Sequence, residues 1–259
     1  TSDIALSSGS QLAGLTAEVV ELLSTDHIAA LSSRQFKELG STQLNAMSSD
    51  QWQAIGTDVI SALSASQIAD LGTSQIADLT TDQVGALNYR AIDGMTQDQI
   101  ESLETEDLAV FSERQLRRLS TAQMQYLLTE QLAALTTDQI GQLHYKQVGA
   151  LSEDQVAALT TDQVANLTKR QVQALTTDQL AVLSSEQVQA MGTAGVSYLK
   201  ANQIAGLDSA QMQALTSDQL NQLDRRQVRA LSSDQINYLT STQLQAWETA
   251  DIRQLSAAQ

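Results

Sequence analysis

The chain has 259 residues, no cysteine and no proline, and its 14 Lys and Arg against 30 Asp and Glu give a formal charge of -16. Missing thiols exclude a disulfide framework, a thiolate nucleophile and a cysteine-held zinc. The acidity opposes nucleic acid as a partner, and no run approaches the roughly 18 apolar residues a membrane helix needs.

From Ile4 to Ile252 every eighth residue is a large apolar one, and a second such series runs from Leu15 to Leu255, interrupted upstream only at Ser7. No insertion or deletion shifts the register, so residues 1–259 read as one continuous octad array rather than a set of globular domains. A typical unit runs Thr160, Thr161, Asp162, Gln163, Val164, Ala165, Asn166, Leu167. Because the chain starts at Thr1 and stops at Gln259 inside a unit, a segment of a longer protein or a filament protomer is expected.

Each unit predicts one short helix. The two apolar slots lie three apart, as in Val156 and Leu159, and strict alternation is missing, which disfavours a strand. An unbroken helix is also excluded, since eight residues overshoot two turns by about 80° and leave no stable seam. The residue after the second slot is Ser, Thr, Gly, Asn or Asp in 27 of 32 units, the set that caps helix N-termini. Gln follows three residues later in most units, giving the capping-box spacing of Thr160 with Gln163. Half of the acidic residues, including Asp138, Asp162, Asp178 and Asp234, precede that position by one, in the first turn where the helix dipole favours them. The expected fold is therefore all-α, a solenoid of short helices. Two buried side chains per unit contribute roughly 3–6 kcal/mol against about 12 kcal/mol of ordering entropy, so stacking must supply the difference. Trp52, Trp247, Phe36 and Phe111 occupy apolar slots and are expected in the core.

A second period of 56 residues, seven units, overlies the octad. Asn88-Tyr89-Arg90 recurs as His144-Tyr145-Lys146, and Arg114, Arg170 and Arg226 share one slot at that spacing. Residues 90, 114, 146 and 170 are basic and step by three and four units, which suggests about 3.5 units per superhelical turn. Bulky residues before the second apolar slot, such as Val110, Tyr126 and Gln142, step by two, which suggests about 2.3. Packing should be more tightly governed than surface charge, and the smaller figure is preferred on that ground.

The candidate surface residues follow from these departures. Arg90, Arg114, Arg117, Arg118, Lys146, Arg170, Arg226 and Arg229 are candidate assembly contacts, basic points able to meet the acidic first turns of a neighbouring chain. Tyr89, Tyr126, Tyr145, Tyr198 and Tyr238 are candidate anchors for a partner. No catalytic, cofactor or metal site is expected. His27 and His144 are the only histidines and lie far apart, and one carboxylate per unit falls short of calcium's six to eight oxygens. Uniform units leave no exceptional loop for an active site, so an enzyme is not expected.

The string from Leu79 to Ala86, L-T-T-D-Q-V-G-A, resembles the opening of a transcription activator-like effector repeat. That family's longer unit, its proline and its base-reading pair are absent here, and DNA binding is not carried over. The whole chain resembles the acidic, cysteine-free octapeptide-repeat tracts of bacterial secreted or cell-surface proteins, which implies an extracellular structural role. The leading expectation is a structural repeat protein forming a rod or self-assembling filament, with itself as partner. The alternative is a superhelical scaffold holding an extended protein or peptide, as an adhesin stalk or ruler does.

Overall fold

Each octad begins where a capping residue turns an extended chain into a helix. The computed structural model describes Ile4 and residues 6–259, and in them thirty-one helices of four to seven residues follow one another at the octad spacing. The chain forms two compact units, Thr1–Leu127 and Leu128–Gln259.

In helix Thr161–Ala165 the Thr160 N–H donates to Gln163 Oε1 at 2.9 Å, and the Gln163 N–H donates back to Thr160 Oγ1 at 3.2 Å. The capping box expected from spacing is thus formed, and it recurs at Ser48–Gln51, Ser120–Gln123 and Thr240–Gln243. Connections need almost no special backbone. N-cap residues are extended, near φ -70° and ψ 158° at Thr160, and no non-glycine residue among those described has a positive φ. Gly192 is the exception, at φ +64° directly after Met191, where helix Ser185–Ala190 passes into Gly192–Tyr198 without an extended cap.

The apolar slots form the core of each unit. Leu44, Trp52, Ile76 and Val84 in the first, and Leu132, Val196, Ile204 and Val228 in the second, are completely buried. Phe36 and Trp52 meet edge to face, their ring centroids 5.9 Å apart. Phe111 and Trp247 are likewise buried, so all four aromatic residues assigned to apolar slots lie in the core.

The capping glutamines are also buried, and this sets the pitch. Gln163 is 1% exposed, and its Nε2 donates to Leu132 O at 3.0 Å and Leu135 O at 2.7 Å. Those carbonyls end helix Thr129–Ala134, where a helix leaves acceptors unsatisfied. In the first unit Gln83 reaches Trp52 O and Ile55 O, and Gln99 reaches Ile68 O and Leu71 O. These bonds span 28 to 31 residues, while helix Tyr89–Gly94 packs against Ala65–Ala69, three octads earlier. Contacts at three and four octads place about 28 residues, three and a half octads, in each turn. This corrects the preference for about 2.3. Val110 and Tyr238 of the bulky sets are 43% and 38% exposed, so they lie outside the buried core that the pitch is built on.

Where the glutamine is replaced, the ladder changes. Ala91 has no donor, and Asn88 takes over, its Nδ2 donating to Ser61 O at 2.8 Å and Leu63 O at 2.7 Å. Asp107 occupies the glutamine slot and is 4% exposed. Burial pushes its carboxyl up from the ordinary aspartate value, helped by the charges of Glu104 and Glu106 and opposed by hydrogen bonds from the Glu104 backbone and Thr81. A carboxylate there cannot donate to carbonyls below it.

Two predictions follow from the ladder. Gln163→Glu keeps the capping acceptor but removes the donor and buries a charge, and is expected to cost about 3 kcal/mol in urea unfolding, against about 1 kcal/mol for Thr160→Ala. Asp107→Gln is expected to raise stability at neutral pH by about 1 kcal/mol. Because folded Asp107 holds its proton more tightly than unfolded Asp107, stability attributable to it falls as pH rises from the unfolded value through the raised folded one. The substitution should flatten that part of the stability profile between acid and neutral pH.

Candidate binding surface

The second residue of each helix points outward, and successive turns bring helices three octads apart into contact. Helix Glu113–Leu116 packs on Tyr89–Gly94, and Lys169–Val172 packs on Tyr145–Val148. Basic residues 24 apart, Arg90 with Arg114 and Lys146 with Arg170, therefore meet across adjacent turns. Each compact unit carries one such cluster.

In the first unit the cluster is built on Tyr89. The Arg114 guanidinium carbon lies 4.3 Å from the ring centroid, Arg118 at 5.5 Å and Arg90 at 5.6 Å, within cation–π range. Carboxylates share the site. Arg117 pairs with Glu113 at 3.0 Å, one helical turn away, and Arg118 pairs with Asp93 across turns. The Asp93 hydrogen bond and charge hold the Arg118 guanidinium above its already high value. Tyr126 lies on the other side of Arg118, along an open depression that also takes in Asp93 and Met95.

In the second unit Tyr145, Lys146, Arg170 and Lys200 surround an open depression of about 730 Å³ floored by Gly149, Ala150 and Ala174. Lys200 Nζ donates to Gln173 O at 2.6 Å and Gln173 Nε2 donates to Tyr198 O at 3.1 Å, which ties the rim together. Lys169 stands over the Tyr198 ring at 5.9 Å. Tyr145 is 37% exposed and stacks on His144, whose Nδ1 accepts from the Lys146 N–H. His27 Nδ1 likewise accepts from the Ser24 N–H, so each imidazole serves a helix start.

The sequence-derived residues thus divide. Tyr89, Arg90, Arg114, Arg117, Arg118 and Tyr126 gather in the first unit, and Tyr145, Lys146, Arg170 and Tyr198 in the second. Arg226 and Arg229 lie on helix Arg225–Ala230 and Tyr238 ends helix Ser233–Tyr238, outside both clusters. Asp93, Glu113, Gln173 and Lys200 join the clusters without having been singled out. Lys200 carried one legible signal, since it stands at a cap position that usually holds Ser or Thr.

The family model described as the ALTTAQ repeat matches residues 53–89, 100–137, 109–145 and 137–169. Within the matched stretches Ala134–Gln139 and Ala158–Gln163 both read A-L-T-T-D-Q, one first-turn residue away from that string. No curated protein matches the chain. The chain is a repeat protein of short helices, with segments similar to the ALTTAQ repeat.

Proposed function

We propose that this chain is a structural scaffold that assembles with copies of itself through complementary charge. The observation that carries the reading is the segregation of charge. Asp138, Asp154, Asp162, Asp178, Asp218 and Asp234 are all exposed in the first turns of their helices, while the cations collect at a few points. Acidic stripes on one copy and basic clusters on another are complementary, and complementary fields steer association and set its register. Arg90, Arg114, Arg117, Arg118, Lys146, Arg170, Arg226 and Arg229 are the basic contacts in this reading. Residues 1–259 act in it as one array, and catalysis has no part. A bacterial surface or extracellular setting fits the acidic, cysteine-free composition.

A second reading has its own observation. Tyr89 is enclosed by three guanidinium groups and Tyr145 lies beside Lys146 and Arg170, so aromatic and cationic groups converge. Such a surface suits an extended acidic protein segment, which a helical-repeat scaffold would hold along its turns.

Light scattering and negative-stain electron microscopy across a salt series separate the two. Self-association should be strong at about 0.05 M salt and lost by about 1 M, where the screening length drops to roughly 3 Å. The triple substitution Arg114→Glu, Arg170→Glu, Arg226→Glu should abolish it at low salt. Association unaffected by the triple substitution would reject charge-directed assembly, and discrete particles at every salt concentration would favour the partner-holding scaffold.

A further inference from the structure

The two clusters occupy equivalent places in the repeat, 56 residues apart, yet differ in one systematic way. Tyr89, Arg90 and Arg114 correspond to Tyr145, Lys146 and Arg170. The residues that neutralise the first cluster are replaced in the second. Asp93 and Arg118, which pair across turns, become Gly149 and Ala174, and Glu113 and Arg117, which pair along one helix, become Lys169 and Gln173. Both carboxylates are gone and one has changed sign. The loss of the longer pair also opens the floor of the depression. Gly149 lies so near the next turn that a Cβ there would approach Ala174 O to 2.9 Å.

We infer that the depression formed by Tyr145, Lys146, Arg170 and Lys200 is a binding site for a six-membered ring carrying several phosphate or sulfate esters, such as a polysulfated sugar or a polyphosphorylated cyclitol. Its volume of about 730 Å³ lies within the range of small-molecule sites. No carboxylate lines it, on a chain whose formal charge is -16. Among the described residues no ion pair engages Lys146, Lys169, Arg170 or Lys200. Lys200 uses one of its three donors on Gln173 O, which fixes the ammonium at the rim and leaves two for a ligand. Arg170 brings a planar fork that matches an ester's oxygens in pairs.

The arrangement also selects the form of the anion. Three cations around one small depression match charges spaced closely on a ring, whereas the carboxylates of this chain's own first turns come one per octad. The floor of Gly149, Ala150 and Ala174 and the Tyr145 side chain offer an apolar bed for the C–H face of such a ring. This site goes beyond the assembly reading but shares Lys146 and Arg170 with it, so a ligand and a neighbouring copy would compete for the same cations.

Calorimetric titration of the intact chain with inositol hexakisphosphate and with sucrose octasulfate tests the site, and the two probes separate phosphate from sulfate as the preferred ester. Saturable one-site binding is expected, with Kd of about 10–100 μM at low salt, and none with unmodified myo-inositol. Lys146→Ala with Arg170→Ala should weaken it about tenfold or more, as should Lys169→Glu, which restores the carboxylate that Glu113 supplies in the first cluster. Arg34→Ala with Lys37→Ala removes equal charge outside the depression and should change Kd less than about twofold. In unsubstituted protein, tyrosine ring resonances of Tyr145 should shift on titration while those of Tyr238 stay in place. Absence of binding, equal weakening by the Arg34 and Lys37 pair, or equally tight binding of an oligoglutamate peptide would overturn the inference.

Discussion

One buried amide organises this fold. At the third residue of most helices a glutamine accepts from the capping backbone N–H through Oε1 and donates through Nε2 to carbonyls at the end of a helix one turn earlier. A helix start exposes donors and a helix end exposes acceptors, and the amide carries the matching acceptor and donor on one flat group. Glutamate would serve the first half of this bridge and fail the second. Because a buried polar group left unpaired costs more than a formed hydrogen bond returns, the amide links cap and pitch by satisfying the cap of its own helix and the carbonyls at a helix end one turn earlier. Asn88 supplies the donor that Ala91 lacks, and burial of the Asp107 carboxyl in the glutamine slot raises its pKa.

The long period follows from arithmetic between two lengths. A unit has eight residues and a turn about 28, as the glutamine bonds mark out. Eight does not divide 28 but does divide 56, the sequence spacing that relates Tyr89 to Tyr145 and Arg114 to Arg170. Within a single turn the nearest matching slots lie three or four units away, and the cations at 90, 114, 146 and 170 step in that alternation. A surface residue in such a stack acquires its neighbours from the pitch rather than from its own helix.

That geometry lets a uniform scaffold carry distinct surfaces at no cost to its core. Exchanging Asp93 and Arg118 for Gly149 and Ala174 leaves the buried glutamines and apolar slots beside them intact, with Gln115 and Gln171 both donating to carbonyls 31 and 28 residues earlier. The first cluster holds its arginines in internal pairs around Tyr89, and the second leaves its cations facing an open floor. Function on this framework resides in the outward slots, where substitutions alter charge and relief while the ladder beneath is unchanged.

The sequence by itself determined everything that acts within one octad. Cap residues such as Thr160, the Gln163 three positions on, the Val164–Leu167 spacing and the first-turn Asp162 all work through contacts at most a few residues away, so the short helix, its start and its buried face were legible, and Trp52 and Phe36 fell in the core as their slots required. The pitch was decided only by tertiary structure. It depends on whether the Gln163 amide, read from spacing as a cap alone, also reaches Leu132 and Leu135, and an amide's second hydrogen bond leaves no mark on local periodicity. Both pitches suggested by the sequence were consistent with a seven-unit repeat. The bulky residues favoured the wrong one because positions such as Val110 and Tyr238 stay partly exposed rather than buried in the core, whereas the cations carried the right one because Arg114 lies over Tyr89 on the adjoining turn. The grouping of Lys200 and Gln173 with Lys146 and Arg170 had to wait for the stack itself, because the chain distances between them become contacts only once the turn length is known.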